Sequence, residues 1–225
     1  MSSSLPDPTR SARPATFDGG AVGRFNAWFF DAFDRYINFV AREHKRAAFD
    51  GVRVGDVVEI GAGVGANFDY IPQGSRILAV EPNEAMFERL RRRAEARGAK
   101  LELVPAPAEA LPLPDASVDE VLCSLVLCTV SDPHQAVREV LRVLRPGGRF
   151  RFVEHVAAHP ASPRRWLQQA LVRPWAWLYE GCQLCRHTAD VIEAAGFRQV
   201  SIERRRFRRS LFFPVNSAIW GIATK

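Results

Sequence analysis

Residues Val57-Val58-Glu59-Ile60-Gly61-Ala62-Gly63-Val64-Gly65-Ala66-Asn67-Phe68 read VVEIGAGVGANF, an apolar run that stops at a glycine cluster, with a carboxylate two positions before the first glycine. Glycine has no Cβ, so a loop of this composition lets a ligand approach the backbone closely. Two ligand classes use such a loop. The letters fit the dinucleotide pattern G-x-G-x-x-G/A and equally a loop that holds S-adenosylmethionine, so the surroundings must choose.

Around the loop, strand and helix signals alternate. Apolar runs at 56–60, 76–81, 101–104, 118–126 and 149–156 are separated by helical patterns. NEAMFERLRRRAEARG has an N-cap at Asn83 and a closing Gly98. DPHQAVREVLRVLRPGG starts at Asp132 with Pro133 in the first helical position and ends in Pro-Gly-Gly. This alternation predicts βαβ units and a parallel sheet with helices on both faces, an α/β fold. An amphipathic helical cap is expected over 21–50, rich in aromatic residues, and a largely helical insert over 160–196. FRQVSIERRRF and PVNSAIWGIATK read as two final strands that close the sheet as an antiparallel hairpin.

The length of 225 residues suits one domain, here 21–225, behind a polar leader over 1–20 expected to be disordered. The leader has no apolar signal-peptide core, and no uncharged apolar run reaches the roughly 18–20 residues of a membrane helix. Four cysteines do not suggest a disulfide scaffold, so a reducing, cytoplasmic location is expected. The net charge of +6 is partly local, in Arg91-Arg92-Arg93 and in Arg204-Arg205-Arg206 with Arg208 and Arg209. Without a nucleic-acid-binding signature beside them, these runs read as solvated faces, and no nucleic-acid partner is expected.

Glu81, in ILAVEPN, stands at the end of the second strand, twenty positions after Gly61, where either ligand needs an acid for its ribose hydroxyls. Three features then favour S-adenosylmethionine. Glu59 suits a ligand with a positive amine and sulfonium and would repel a pyrophosphate. The chain is too short for the separate catalytic domain of most nicotinamide enzymes. The LRPGGRF turn and the final hairpin resemble the class I methyltransferase fold.

From Glu59 to Phe152 the pattern resembles the small-molecule class I methyltransferases, and among these the thiol S-methyltransferases represented by the vertebrate microsomal alkyl thiol enzymes. EIGAGVGANF, EPN, PAPAEALPLPDASVDEVLCSLVLCTV, REVLRVLRPGGRFRFVEHVAA, EGCQLCR and IWGIATK carry the likeness over nearly everything after the leader. The resemblance implies a Rossmann-like, seven-stranded, mostly parallel sheet whose last strand is antiparallel. It implies methyl transfer from S-adenosylmethionine to a small-molecule thiol. Two departures stand out: the leader is polar where the vertebrate enzymes carry an apolar helix, and Pro107-Ala108-Glu109 replaces Asp-Ala-Glu.

By the same resemblance, Glu59, Gly61, Ala62, Gly63 and Asn67 face the methionine part of the cofactor. Glu81 and Pro82 meet the ribose, Met86, Ala108 and Glu109 the adenine, and Ser124 and Leu125 the sulfonium end. Phe30, Tyr36, Trp166, Trp175 and Cys182 are expected around the acceptor. His155, at the end of the fifth strand, is the candidate acid–base or orienting group. No metal is expected. Cys182-x-x-Cys185 with His187 lacks a fourth ligand, and Cys123 and Cys128, on or near a buried strand, look badly placed to help. The two cysteines of the motif are expected to pack on one helical face; a redox pair is the other reading. Transfer to an oxygen, nitrogen or carbon remains an alternative, because the cofactor motifs would be identical. A nucleic-acid-associated binding protein is more remote.

Overall fold

A computed structural model of the protein describes residues 20–208 and 210–225. Apart from Gly20, the leader lies outside the described residues. Seven strands form one sheet in the order β3-β2-β1-β4-β5-β7-β6. In the chain they are β1 (Asp56–Ile60), β2 (Arg76–Val80), β3 (Lys100–Val104), β4 (Val118–Ser124), β5 (Leu144–His155), β6 (Gln199–Arg206) and β7 (Ser217–Thr224). β1 to β5 pair in parallel, while β7 runs antiparallel to both β5 and β6. The order reverses between β1 and β4, so the loops leaving these neighbours diverge and open a cleft beyond their carboxyl ends.

The central strands carry apolar side chains on both faces because helices cover both. On one side Val58, Ile60, Val121 and Phe150 pack with α3 (Pro133–Val143) and α5 (Thr188–Glu193). On the other, Val57, Ala79, Leu122 and Val153 pack with α1 (Ala21–Phe49) and α2 (Phe87–Arg97). The caps follow the sequence signals. Asp132 accepts from the Gln135 amide at 3.0 Å, and Gly98 closes α2 at φ 62°. Asn83 caps a short 3₁₀ turn, Glu84–Met86, that leads into α2.

The glycine loop leads into turns and the 3₁₀ turn Phe68–Tyr70, where Asn67 makes no capping bond. Two expectations are revised. The expected helical insert is one long helix, α4 (Pro163–Leu178), then an irregular stretch to His187 before α5. Cys182 and Cys185 lie in that stretch, so they do not share a helical face.

Buried polar groups tie α1 to the sheet. Arg151 on β5 pairs with Glu120 on β4 at 2.8 Å and donates to the carbonyls of Ala48, Asp50 and Gly51, the end of α1. Such a pair positions more than it stabilises, since desolvation offsets its attraction. Among the described residues, no helix is long and apolar enough to cross a membrane.

Candidate active site

The cleft is built from the loops after β1, β2, β4 and β5. Gly61 leaves β1 at φ 59°, and a Cβ there would lie 2.4 Å from Val126 Cγ2. The residue must be glycine for both reasons: the left-handed backbone and the close approach of the β4 loop. Glu81 ends the neighbouring strand and accepts from Gly63 N at 2.8 Å and Asn83 N at 2.9 Å. It therefore holds the loop as well as facing the cleft, a structural part that the sequence reading did not assign to it.

Beneath the loop, Asn67 Nδ2 donates to Glu59 Oε1 at 2.9 Å. Glu59 Oε2 and Asn67 Oδ1 are buried with no hydrogen-bond partner. Burial raises the Glu59 carboxyl to about 8, against the pull of Lys45. The buried Lys45 ammonium is itself lowered to about 8 by desolvation. A buried acid with an orphaned oxygen is costly unless something donates to it.

The loop after β4 is shaped by a residue the sequence reading passed over. Glu154 Oε1, on β5, accepts from Val126 N at 2.8 Å, Leu127 N at 3.0 Å and Cys123 Sγ at 3.2 Å. Leu125 just before these amides has φ 61°, a left-handed conformation that a branched side chain rarely adopts. The turn carries Cys128 under β5, where His155 ends the strand. His155 Nε2 lies 3.0 Å from Cys182 Sγ, and Cys182 Sγ lies 3.8 Å from Cys128 Sγ. Burial disfavours the imidazolium, but the sulfur of Cys128 and the carboxylate of Glu154 outweigh it, leaving His155 above the ordinary histidine value.

The segment bearing Cys182 is stitched to the sheet. Gln183 N donates to Cys128 O at 2.8 Å, and Arg186 Nη1 to Val130 O at 2.9 Å. Just before it, Glu180 accepts from Asn83 Nδ2 at 2.9 Å, reaching across to the Glu81 side of the cleft. Burial raises the Glu180 carboxyl to about 7. Aromatic rings gather beside it: Tyr179 lies 4.6 Å from Trp175 and 5.2 Å from Phe29, which in turn contacts Phe30 and Phe33.

A methyltransferase-domain family model matches residues 58–152. Human thiol S-methyltransferase TMT1A is 40% identical over 151 residues, 65% of this chain and 62% of that protein. Human thiol S-methyltransferase TMT1B is 38% identical over 173 residues, 75% of this chain and 70% of its own length. The chain belongs to the S-adenosylmethionine-dependent methyltransferases. A solved Thermotoga maritima methyltransferase, described as a possible histamine N-methyltransferase, covers 91% of this chain and 99% of its own at a TM-score of 0.65. At 23% identity it shows the shared fold alone.

The residues present fit the methyltransferase cofactor. Its ammonium group carries the donors that Glu59 Oε2 and Asn67 Oδ1 lack. Each Glu81 oxygen keeps a lone pair for a ribose hydroxyl after accepting its amide. Pro82 is half-buried beside it and Met86 is buried under α2. Ala62 and Ala108 are buried, and Ser124 and Leu125 are half-buried at the end of β4.

Some expected positions are corrected. Glu109 has a structural part: Oε1 accepts from Ser131 N at 2.7 Å and holds the turn before α3. Trp166 stands 75% exposed on α4. Tyr36 is set to one side, packed on Phe212 with its hydroxyl accepting from the Leu211 amide. Phe30 packs on Phe29 and Trp175 on Tyr179, and the Cys182 amide donates to the Tyr179 carbonyl at 2.8 Å. Cys128, expected to be badly placed for a metal, lies beside Cys182, where the 181–186 stretch hydrogen-bonds to the turn after β4. The arginine runs are partly paired: Arg93 binds Asp34 and Asp69, and Arg205 binds Glu203.

Proposed function

We propose that the enzyme methylates the sulfur of a small, largely apolar thiol, held between the aromatic roof and the Cys128–His155–Cys182 cluster. The observation that carries this is the cluster itself: a buried imidazole whose near polar neighbours are sulfurs, at the strand ends where this fold does its chemistry. The likeness to proteins named thiol S-methyltransferases points the same way.

The bound cofactor supplies a methyl group already activated by its sulfonium. The protein's part is then to align the acceptor, exclude water and ease one proton away. An ordinary thiol, with a pKa near 8.5, has a few per cent of thiolate at pH 7, so modest electrostatic help suffices. His155 orients the acceptor sulfur and favours its thiolate. The rings of Phe29, Trp175 and Tyr179 keep the space dry.

Methyl transfer to a panel of thiols, phenols and amines, read by mass spectrometry at pH 7, tests the reading. Thiols should dominate, with a rate that rises with pH and levels off near the bound thiol's pKa. His155→Ala should cost roughly tenfold to a hundredfold. Phenols or amines turning over faster than every thiol would overturn the acceptor assignment and leave the methyltransferase family intact.

A further inference from the structure

We propose that Cys128, His155 and Cys182 form a three-ligand zinc site whose fourth position takes the acceptor thiol. The proposal deepens the thiol reading and rests on it for the identity of the fourth ligand.

The three ligand atoms lie within 4.8 Å of one another. In a tetrahedral zinc site with Zn–S near 2.3 Å and Zn–N near 2.0 Å, sulfurs stand about 3.7 Å apart and sulfur and nitrogen about 3.5 Å. The two sulfurs here are 3.8 Å apart, already at that spacing. The His155–Cys182 distance of 3.0 Å needs to open by about half an ångström, and the His155 nitrogen lies within 4.8 Å of the Cys128 sulfur. Thiolate and imidazole donors together favour zinc among the abundant divalent cations, and three protein ligands are the number that leaves a catalytic position free.

The alternative is that three small side chains merely pack. Two observations speak against it. His155 turns Nε2 to the sulfurs, as a ligating nitrogen must be turned, while Nδ1 is buried without a partner. The ligands also come from three separately anchored segments: the Glu154-bound turn after β4, the end of β5, and the 181–186 stretch pinned by Gln183 and Arg186. Such anchoring holds ligand atoms at fixed separations without a metal. Exposure is 1% at Cys128, 3% at His155 and 8% at Cys182, so the remaining access is greatest at Cys182. That residue follows Tyr179 of the roof and Glu180, which bonds Asn83 at the cofactor cleft.

A thiol entering the fourth position would lose its proton to solvent and bind as thiolate. An electron pair of its sulfur would form the new S–CH₃ bond as the methyl–sulfonium bond breaks, and that bond's pair would stay on the departing sulfur. The products are a neutral thioether and S-adenosylhomocysteine.

Metal content and cobalt spectroscopy on the full chain test this. Protein equilibrated with micromolar zinc and desalted should hold one zinc per chain by elemental analysis. Cys128→Ala and Cys182→Ala should bind zinc at least a hundredfold more weakly, with S-adenosylhomocysteine affinity as the check that the cleft is still folded. Cobalt(II) in the wild-type protein should give thiolate charge-transfer and tetrahedral visible bands. Thiophenol, the probe thiol, should shift those bands as it becomes the fourth ligand. Wild-type protein without zinc under these conditions, or with a Cys128–Cys182 disulfide seen as a loss of two mass units, would overturn the site. Cobalt bands unmoved by saturating thiophenol would overturn the acceptor position. Metal-free protein methylating thiols at full rate would end the zinc proposal and leave the thiol reading standing. A zinc-loaded enzyme that methylates phenols or amines but no thiol would overturn the thiol reading and the acceptor position together and leave the three-ligand site standing.

Discussion

Glu59 should lose a proton when the cofactor binds. Its carboxyl, raised to about 8 by burial, is about nine-tenths protonated at pH 7 in the free protein. Ionising it at pH 7 costs about 1.4 kcal/mol, one pKa unit. Against that cost, the cofactor's ammonium group meets two orphaned acceptors, Glu59 Oε2 and Asn67 Oδ1. Hydrogen bonds to charged groups contribute about 1.5–3 kcal/mol each, so ionisation on binding is favoured. Lys45, lowered to about 8 by the same burial, stays mostly charged at pH 7 and supports the carboxylate. Titration of S-adenosylhomocysteine by calorimetry in buffers of different ionisation enthalpy should show release of about 0.9 proton at pH 7. Glu59→Gln cannot release that proton. It should bring the release close to zero and weaken binding by up to about fifteenfold, the charged bond of about 1.5–3 kcal/mol less the ionisation cost of about 1.4 kcal/mol. Wild-type binding with no buffer dependence, together with unchanged affinity in Glu59→Gln, would refute the placing of the ammonium at this carboxyl.

Gly61→Ala should abolish measurable cofactor binding and lower the melting temperature, since the new Cβ meets Val126 at 2.4 Å in a left-handed backbone; Val126→Ala should restore part of the stability, and no rescue would argue against the clash. Glu81→Ala should weaken S-adenosylhomocysteine by roughly 1.5–3 kcal/mol and also destabilise the free protein, because the amides of Gly63 and Asn83 lose their acceptor; stability unchanged in thermal unfolding would mean the loop holds itself. The free protein should lose stability as pH rises from about 5 to 8. Glu59 and Glu180 are raised to about 8 and about 7, and Glu81 and Glu154 are also raised. The folded state therefore keeps protons that the unfolded chain gives up near 4.5, a contribution present below that value and lost through the folded values. Lys45, lowered, acts in the opposite sense but above about pH 8, outside this window. Thermal unfolding across this range checks it: a flat or rising melting temperature would contradict these shifts, and S-adenosylhomocysteine should flatten the decline.

The local signals in the chain were enough for the scaffold and for half of the cleft. Apolar runs of strand length, caps at Asn83 and Asp132 and the αL glycine at 98 act over a few residues, so their meaning survives in one dimension. The glycine loop is of the same kind: Gly61 needs its backbone conformation wherever the rest of the chain goes. The acceptor end is different. Cys128, His155 and Cys182 lie 27 residues apart at each step, and no spacing rule links them. They meet because the order β1-β4-β5 sets two strand ends side by side and the 181–186 stretch hydrogen-bonds back across both. Glu154 reads in sequence as one more strand residue, and its grip on the Val126 and Leu127 amides exists only once β5 lies beside β4. Glu109 shows the converse: its position beside Ala108 was legible, but only the fold brings the two backbone amides of the turn before α3 within reach of its carboxylate. Periodicity and turn chemistry are properties of neighbours along the chain, whereas the direction and partner of a buried polar side chain depend on which donors the tertiary fold leaves unpaired around it.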